Sequence, residues 1–220
     1  LSNGVWNHRF ISRAGFMTIH IPDDGVVKYQ PIHTDSPQPS HPLLEELNLT
    51  RTKLFDLGLI GSYSNGIGYG NVSIRNGMGF IISGTSTGNL RILQSKHYCS
   101  VKRFNLAQNI VYSEGPIQAS SESMTHGAIY QANQFIQAVL HIHNRSLWEK
   151  LLSNGHLSTS ADIAYGTPQM ALDMANLVIS QNSPNGLMVM NGHEEGIIAY
   201  GQTIGLAYAQ IETLLNHIFK

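Results

Sequence analysis

Apolar positions along this chain repeat with two different periods. Leu43, Leu44, Leu47, Leu54 and Phe55 follow the helical period, which predicts a helix from Pro42 to about Leu57, ended by Gly58 and Gly61. Thr167-Pro168 is a helix start with proline at the first helical position, and Met170, Ala171, Met174, Leu177 and Val178 share one side of the helix it opens. Further helices are expected over Ser146–Leu152, over Thr203–Ile218, and from Ser120-Ser121-Glu122 to about Gln134. In the last of these, Ser120 or Ser121 would be the N-cap and Glu122 would sit in the first turn, where the macrodipole favours a carboxylate. Strand character is concentrated in Val72 and Ile74, Phe80–Ile82, Val139–His143, Leu187–Met190 and Ile197–Tyr200. Strands and helices alternate irregularly, and several connections suit hairpins better than crossovers. The expectation is a layered α/β domain around a mostly antiparallel sheet.

The first part of the chain is weaker in pattern. Residues 1–16 are polar around Trp6 and Phe10, Met17 is an alternative start, and no long apolar segment suggests a secretory signal. Asp24-Gly25 between short apolar runs predicts a hairpin turn. Gln30–Ser40 holds Pro31, Pro37 and Pro39 and is expected to be irregular, and Leu157–Ala164 to be loop or strand. This divides the chain into an arm and hairpin over 1–40 and one domain over 41–220.

Composition narrows the function. Charged residues are 12% of the 220, and 13 basic side chains face 14 acidic ones, which leaves no field suited to nucleic acid or a membrane surface. No apolar run approaches the roughly 18 residues of a membrane span. A single cysteine, Cys99, excludes an internal disulfide and fits a reducing cytoplasm. Eleven histidines in this length raise the prior for metal chemistry.

His141-Ile142-His143 closes a β-branched, apolar run. On a strand, alternate side chains share a face, so Val139, His141 and His143 point one way and Leu140 and Ile142 the other. Two imidazoles so placed form a bidentate clamp, and a divalent ion needs a third ligand. His193, in the Gly-flanked loop between the last two strands, is the natural one; three histidines with an open position describe a catalytic site. Glu122 could join as fourth ligand or general base, or merely cap its helix. The hydroxyls of Thr85, Ser86, Thr87, Ser120 and Ser121, with Asn71, offer donors for a phosphate. The glycines from Gly61 to Gly70 superficially resemble a dinucleotide fingerprint, but a strand pair comes after them where that fingerprint needs a helix. Their loop still exposes backbone N–H groups suited to an anion.

Taken in order, Gly70-Asn71-Val72-Ser73-Ile74-Arg75, Ile82-Ser83-Gly84-Thr85, Ser120-Ser121-Glu122, His141-Ile142-His143, Tyr165-Gly166-Thr167 and Asn191-Gly192-His193 resemble the class II aldolase/adducin family from about Pro42 to the C-terminus. The resemblance implies a three-layer α/β/α domain, a divalent ion with Zn2+ foremost, and a cytoplasmic homotetramer with sites between subunits. It implies that His141, His143 and His193 hold the metal, that Glu122 is the acid/base, and that Asn71, Thr85, Ser86, Ser120 and Ser121 contact phosphate. The activity it implies is aldol cleavage or formation in a small sugar phosphate through a metal-stabilised enediolate. The alternatives are a dehydratase or epimerase of the same family, or a non-catalytic interaction domain like an adducin head.

The sequence also departs from that family. Thr85-Ser86 stands where aldolases commonly read Thr-Gly, and a hydroxyl-bearing residue of their phosphate loop falls near Gly68. Glu194 and Glu195 separate the third histidine from its glycine. No tyrosine lies between His143 and Tyr165, where the aldolases carry their proton donor; Tyr165, Tyr200, Tyr208 and His156 are candidates for that role. The epimerases carry Asp at the position of Glu122. A cupin-like barrel, suggested faintly by His141-x-His143 with Glu149, would require a chain without these helices.

Overall fold

A computed structural model describes residues 26–218. The expected arm over 1–16 and the turn at Asp24-Gly25 lie outside the described residues. Among the described residues, ten strands and five α-helices succeed one another: β1 Gln30–Asp35, α1 Leu44–Asp56, β2 Gly61–Ser62, β3 Gly68–Tyr69, β4 Asn71–Asn76, β5 Gly79–Ser83, β6 Tyr98–Asn105, β7 Ile110–Gly115, α2 Ser123–Ala132, β8 Ala138–His143, α3 Arg145–Ser153, α4 Pro168–Gln181, β9 Gly186–Val189, β10 Gly196–Gly201 and α5 Ile204–Ile218.

Eight of the strands form one sheet in the order β1-β7-β6-β5-β4-β8-β10-β9, while β2 and β3 pair separately. Every pairing in the large sheet is antiparallel except β1 with β7. A separate apolar cluster lies on each face of the sheet. Val139, Ile82, Val101 and Ile198 pack with Met124, Ala128, Met170 and Met174 of α2 and α4. Leu140, Ile142, Ile74 and Ile197 pack with Leu47 and Leu54 of α1, Leu147 and Leu151 of α3, and Ile211 of α5. The alternation along β8 is the one its sequence predicts, and it is what makes the domain three layers, α/β/α. Among the described residues the sheet is open and does not close into a cupin-like barrel.

Two segments differ from expectation. Gln30–Asp35 is a strand despite Pro31. It forms the sheet edge and pairs on one side only, with Pro31 opposite Val111, so a residue without an N–H is tolerated. Tyr98–Asn105 is a full strand with no alternating signal, because its first half is buried and its second half, around Lys102 and Arg103, is exposed across a register shift. Leu157–Ala164 is loop, touching the sheet through one bridge between Ser158 and Val189.

One polar cluster is sealed inside. The Nδ1 of His126 on α2 lies 2.7 Å from the Ser73 hydroxyl, which in turn lies 2.8 Å from the Tyr130 hydroxyl. His126 is fully buried, and burial pushes its pKa down to about 3. The unfolded chain therefore takes up this proton near pH 6.5 while the folded chain refuses it, so stability is complete above about 6.5 and falls as pH drops toward 3. Between pH 6 and 4, His126→Gln is expected to have a stability-versus-pH slope shallower than the parent by up to about 1.4 kcal/mol per pH unit, read from urea denaturation. Parallel slopes would show that His126 is not the group responsible.

Candidate metal and anion site

The register of the sheet gathers the chemistry. Asn71 at the start of β4 lies directly opposite His141 on β8, and Gly196 at the start of β10 lies opposite His143. The turn before Gly196 is tight: His193 N–H donates to Met190 O (3.0 Å), Gly196 N–H to His193 O (2.9 Å), and Asn144 N–H to Glu195 O (3.0 Å). Gly192 is forced, because a Cβ there would lie 1.8 Å from Ile163 O. The turn returns His193 to the end of β8. Ring centroids are 4.8 Å apart for His141 and His143, 5.1 Å for His141 and His193, and 4.7 Å for His143 and His193. One nitrogen from each lies within 4.8 Å of the others, and all three rings are buried.

The donor set fits a divalent cation. Nε2 of His141 is buried and has no hydrogen-bond partner, a costly state for a polar atom. Burial, and then the neighbouring His193 and His126, hold the pKa of His141 well below the ordinary histidine value, so the ring is neutral and keeps a lone pair. Its Nδ1 lies 3.4 Å from Asn71 Nδ2, and the Asn71 oxygen is buried without a partner. Turning that amide by half a rotation sets its oxygen against Nδ1, which makes Nδ1 the donor and Nε2 the ligand nitrogen.

Glu122 occupies the N-cap position of α2 and is 2% exposed. This corrects the expectation that Ser120 or Ser121 caps the helix. Ser120 O accepts from both the N–H (3.0 Å) and the hydroxyl (2.6 Å) of Ser123, and this turn places the helix start two residues later. The Glu122 side chain does not cap the backbone; its Oε2 accepts from the Thr125 hydroxyl at 2.8 Å. The bland role of a capping carboxylate is thus excluded.

The two hydroxyl-rich loops lie side by side because Gly84 bridges to Ala119. The N–H groups of Gly84 and Thr85 donate to His97 O and Gln118 O, so neither backbone donor is left for the cleft. Ser86 holds a left-handed conformation (φ 58°), which Gly would adopt without strain. Tyr29 donates to Ala119 O and Ser120 O, each at 3.0 Å, and ties the second loop to the core. The first loop is tied by Arg51 of α1, which is 1% exposed; its guanidinium donates to the carbonyls of Leu90, Arg91 (2.9 Å), Thr87 (3.0 Å) and Gly88 (3.2 Å).

Asn71, Thr85, Ser86, Ser120, Ser121, Glu122, His141, His143 and His193, separated by up to 122 positions along the chain, all line one cleft. Of the four side chains considered as proton donors, only Tyr165 lines it. Its ring stacks on His193 (centroids 4.4 Å, 24°), with Lys28 Nζ 3.6 Å from the ring centroid. Tyr200 is buried against Gln181, Tyr208 is on α5, and His156 faces a separate cavity with Leu187 and Gln210. Two tyrosines were missed. Tyr69 lines the cleft, and the Tyr63 hydroxyl lies 3.0 Å from His143 Nδ1. Both sit in the Gly61–Gly70 segment, where the glycines drew notice and the aromatics between them did not.

The fold and the cleft define a mixed α/β protein with a buried three-histidine site beside a carboxylate and two hydroxyl-rich loops. The sequence pattern of the Class II Aldolase and Adducin N-terminal domain matches residues 61–217, and the chain belongs to that family. Its members are usually metal-dependent enzymes acting on sugar phosphates. No curated protein sequence matches the chain. Among solved structures it is similar to an L-fuculose 1-phosphate aldolase (20% identity, 82% of this chain and 84% of that one, TM-score 0.59). It is similar also to the L-fuculose-1-phosphate aldolase of Thermus thermophilus (23%, 78% and 85%, TM-score 0.51) and to YgbL of Klebsiella pneumoniae, a putative aldolase/epimerase/decarboxylase (18%, 80% and 87%, TM-score 0.59). At these identities the likeness is one of fold.

Removing the Arg51 guanidinium would strand the buried carbonyls of Thr87 and Gly88. Arg51→Met is expected to lose about 3 kcal/mol in urea denaturation, at the upper end for an unsatisfied buried group. A loss below about 1 kcal/mol would mean that the loop does not depend on Arg51.

Proposed function

We propose that this protein is a divalent-metal-dependent aldolase that cleaves or forms a carbon–carbon bond in a small sugar phosphate, with zinc as its ion. The observation that carries the reading is the convergence of three histidines, one buried carboxylate and two hydroxyl loops on a single cleft.

His141, His143 and His193 would hold the ion, which when bound polarises the substrate carbonyl and offsets the negative charge that develops on its oxygen. The hydroxyls of Thr85, Ser86, Ser120 and Ser121 and the Asn71 amide would bind the phosphate and fix the distance from it to the carbonyl. In the direction of synthesis, Glu122 removes a proton from the carbon next to the carbonyl. That carbon attacks the aldehyde, and the new alkoxide takes a proton from Tyr165. In cleavage the steps reverse: the hydroxyl loses its proton, the carbon–carbon bond breaks, the aldehyde leaves, and Glu122 returns its proton to carbon. Glu at position 122, where the family's epimerases carry Asp, favours the lyase over epimerisation. A cytoplasmic homotetramer belongs to the same reading, which family membership supports. Among the described residues no helix is long and apolar enough to cross a membrane.

Zinc-loaded protein is expected to release a dihydroxyacetone-phosphate-like fragment from at least one of a panel of ketose phosphates, in an assay coupled to that product. Glu122→Gln should lower kcat by about 10²- to 10⁴-fold with metal stoichiometry unchanged, whereas His193→Ala should lose the ion. No turnover by the loaded protein across the panel would contradict the aldolase reading, and a Glu122→Gln variant of normal kcat would remove Glu122 from the chemistry.

A further inference from the structure

Beyond the cleft itself, one chain of hydrogen bonds runs outward from a proposed ligand to the Glu194-Glu195 pair that follows the third histidine. Tyr63 lies in the turn between β2 and β3, closed by Tyr63 N–H to Ile67 O (2.8 Å) and Gly66 N–H to Tyr63 O (2.9 Å). Its ring packs on Tyr69 with centroids 4.7 Å apart. Its hydroxyl donates to Glu195 Oε2 at 3.0 Å and lies 3.0 Å from His143 Nδ1. Glu195 takes a left-handed conformation (φ 72°) immediately before Gly196, the residue opposite His143. Its other oxygen, Oε1, accepts from Arg145 Nε at 3.2 Å, while Arg145 Nη1 donates to Glu194 Oε1 at 2.6 Å. Arg145 opens α3, two residues after His143. The carboxylates of both extra glutamates are therefore held by one guanidinium.

The direction of these bonds is fixed by donor arithmetic. A carboxylate only accepts, so the single proton of the Tyr63 hydroxyl is committed to Glu195. The hydroxyl oxygen can then only accept from His143, so Nδ1 must carry a proton, and in the neutral form that a metal ligand requires it is the ring's single one. That leaves Nε2 as the nitrogen with the lone pair. We propose that Tyr63 and Glu195 are positioning residues that fix His143 in the Nδ1–H tautomer and so present Nε2 to the metal ion. The inference rests on the metal reading of the three histidines and adds the device that prepares one of them. It also gives the Glu194-Glu195 insertion a purpose: it supplies the carboxylate, and Arg145 holds that carboxylate against the hydroxyl. An outer carboxylate that orients a ligating histidine raises its basicity and limits the rotation lost on binding.

The test uses the full chain and zinc alone. In ¹⁵N-labelled metal-free protein, imidazole nitrogen–proton correlation spectra are expected to show His143 as the Nδ1–H tautomer, and Tyr63→Phe, which keeps the ring and its packing on Tyr69, to abolish that preference. Competition with a chromophoric chelator should show zinc held about 10- to 100-fold more weakly by Tyr63→Phe and by Glu195→Gln. The double variant should be little weaker than the worse single one, since both act through one hydrogen-bonded chain. If the parent takes up zinc and both variants bind it within about twofold, or if His143 carries its proton on Nε2, the positioning role is overturned while the metal site stands. If the parent itself takes up no zinc, the metal reading fails and this inference goes with it.

Discussion

The structure depends most on the pairing of β8 between β4 and β10. Antiparallel register leaves no freedom in that arrangement: with Val72 opposite Leu140 and Ile197 opposite Ile142, Asn71 must face His141 and Gly196 must face His143. A slip of one residue would exchange the two faces of β8, burying the histidines beneath α1 and α5 and sending Leu140 and Ile142 into the cleft. The apolar clusters on the two faces forbid it. The packing that stabilises the domain is thus the same packing that delivers the imidazoles, and His193 needs only a tight turn to join them.

The rest of the cleft is built of loops, and loops need anchors. The segment from Gly84 to Gly88 is held from behind by the buried guanidinium of Arg51, whose ordinary pKa is brought down to about 10 by burial and which still bonds four carbonyls. The segment from Ala119 to Glu122 is held by Tyr29 and by the start of α2. Gly88 lets the first loop press on the β2–β3 segment, since a Cβ there would lie 2.2 Å from Gly61 O. Backbone polar groups of these loops are thereby paired inside the protein, while Thr85, Ser86, Ser120 and Ser121 line the cleft.

The elements most legible in the sequence were those with one clear period. The helices carrying Leu47 and Leu54, Met170 and Met174, and Ala207 and Ile211, and the alternation of Val139, His141 and His143 against Leu140 and Ile142, stand within a residue or two of expectation. The strand at Gln30–Asp35 was hidden by Pro31 at a sheet edge, and that at Tyr98–Asn105 by a change of exposure halfway along. At the site, the histidines, Glu122 and the hydroxyls could be named because residue type and spacing carry their chemistry. Tyr63 and Arg51 could not. Their meaning lies in partners 80 and 132 residues away for the one, and in backbone carbonyls for the other, and neither kind of partner leaves a local pattern.

The central claim is that three imidazoles from two separate segments of the chain share one ion beside Glu122. Anomalous diffraction from zinc-loaded crystals, with data on both sides of the zinc absorption edge, tests it most directly. The account predicts one strong anomalous peak per chain, within bonding distance of a nitrogen from each of His141, His143 and His193. No such peak, or a peak away from those three rings, would contradict it.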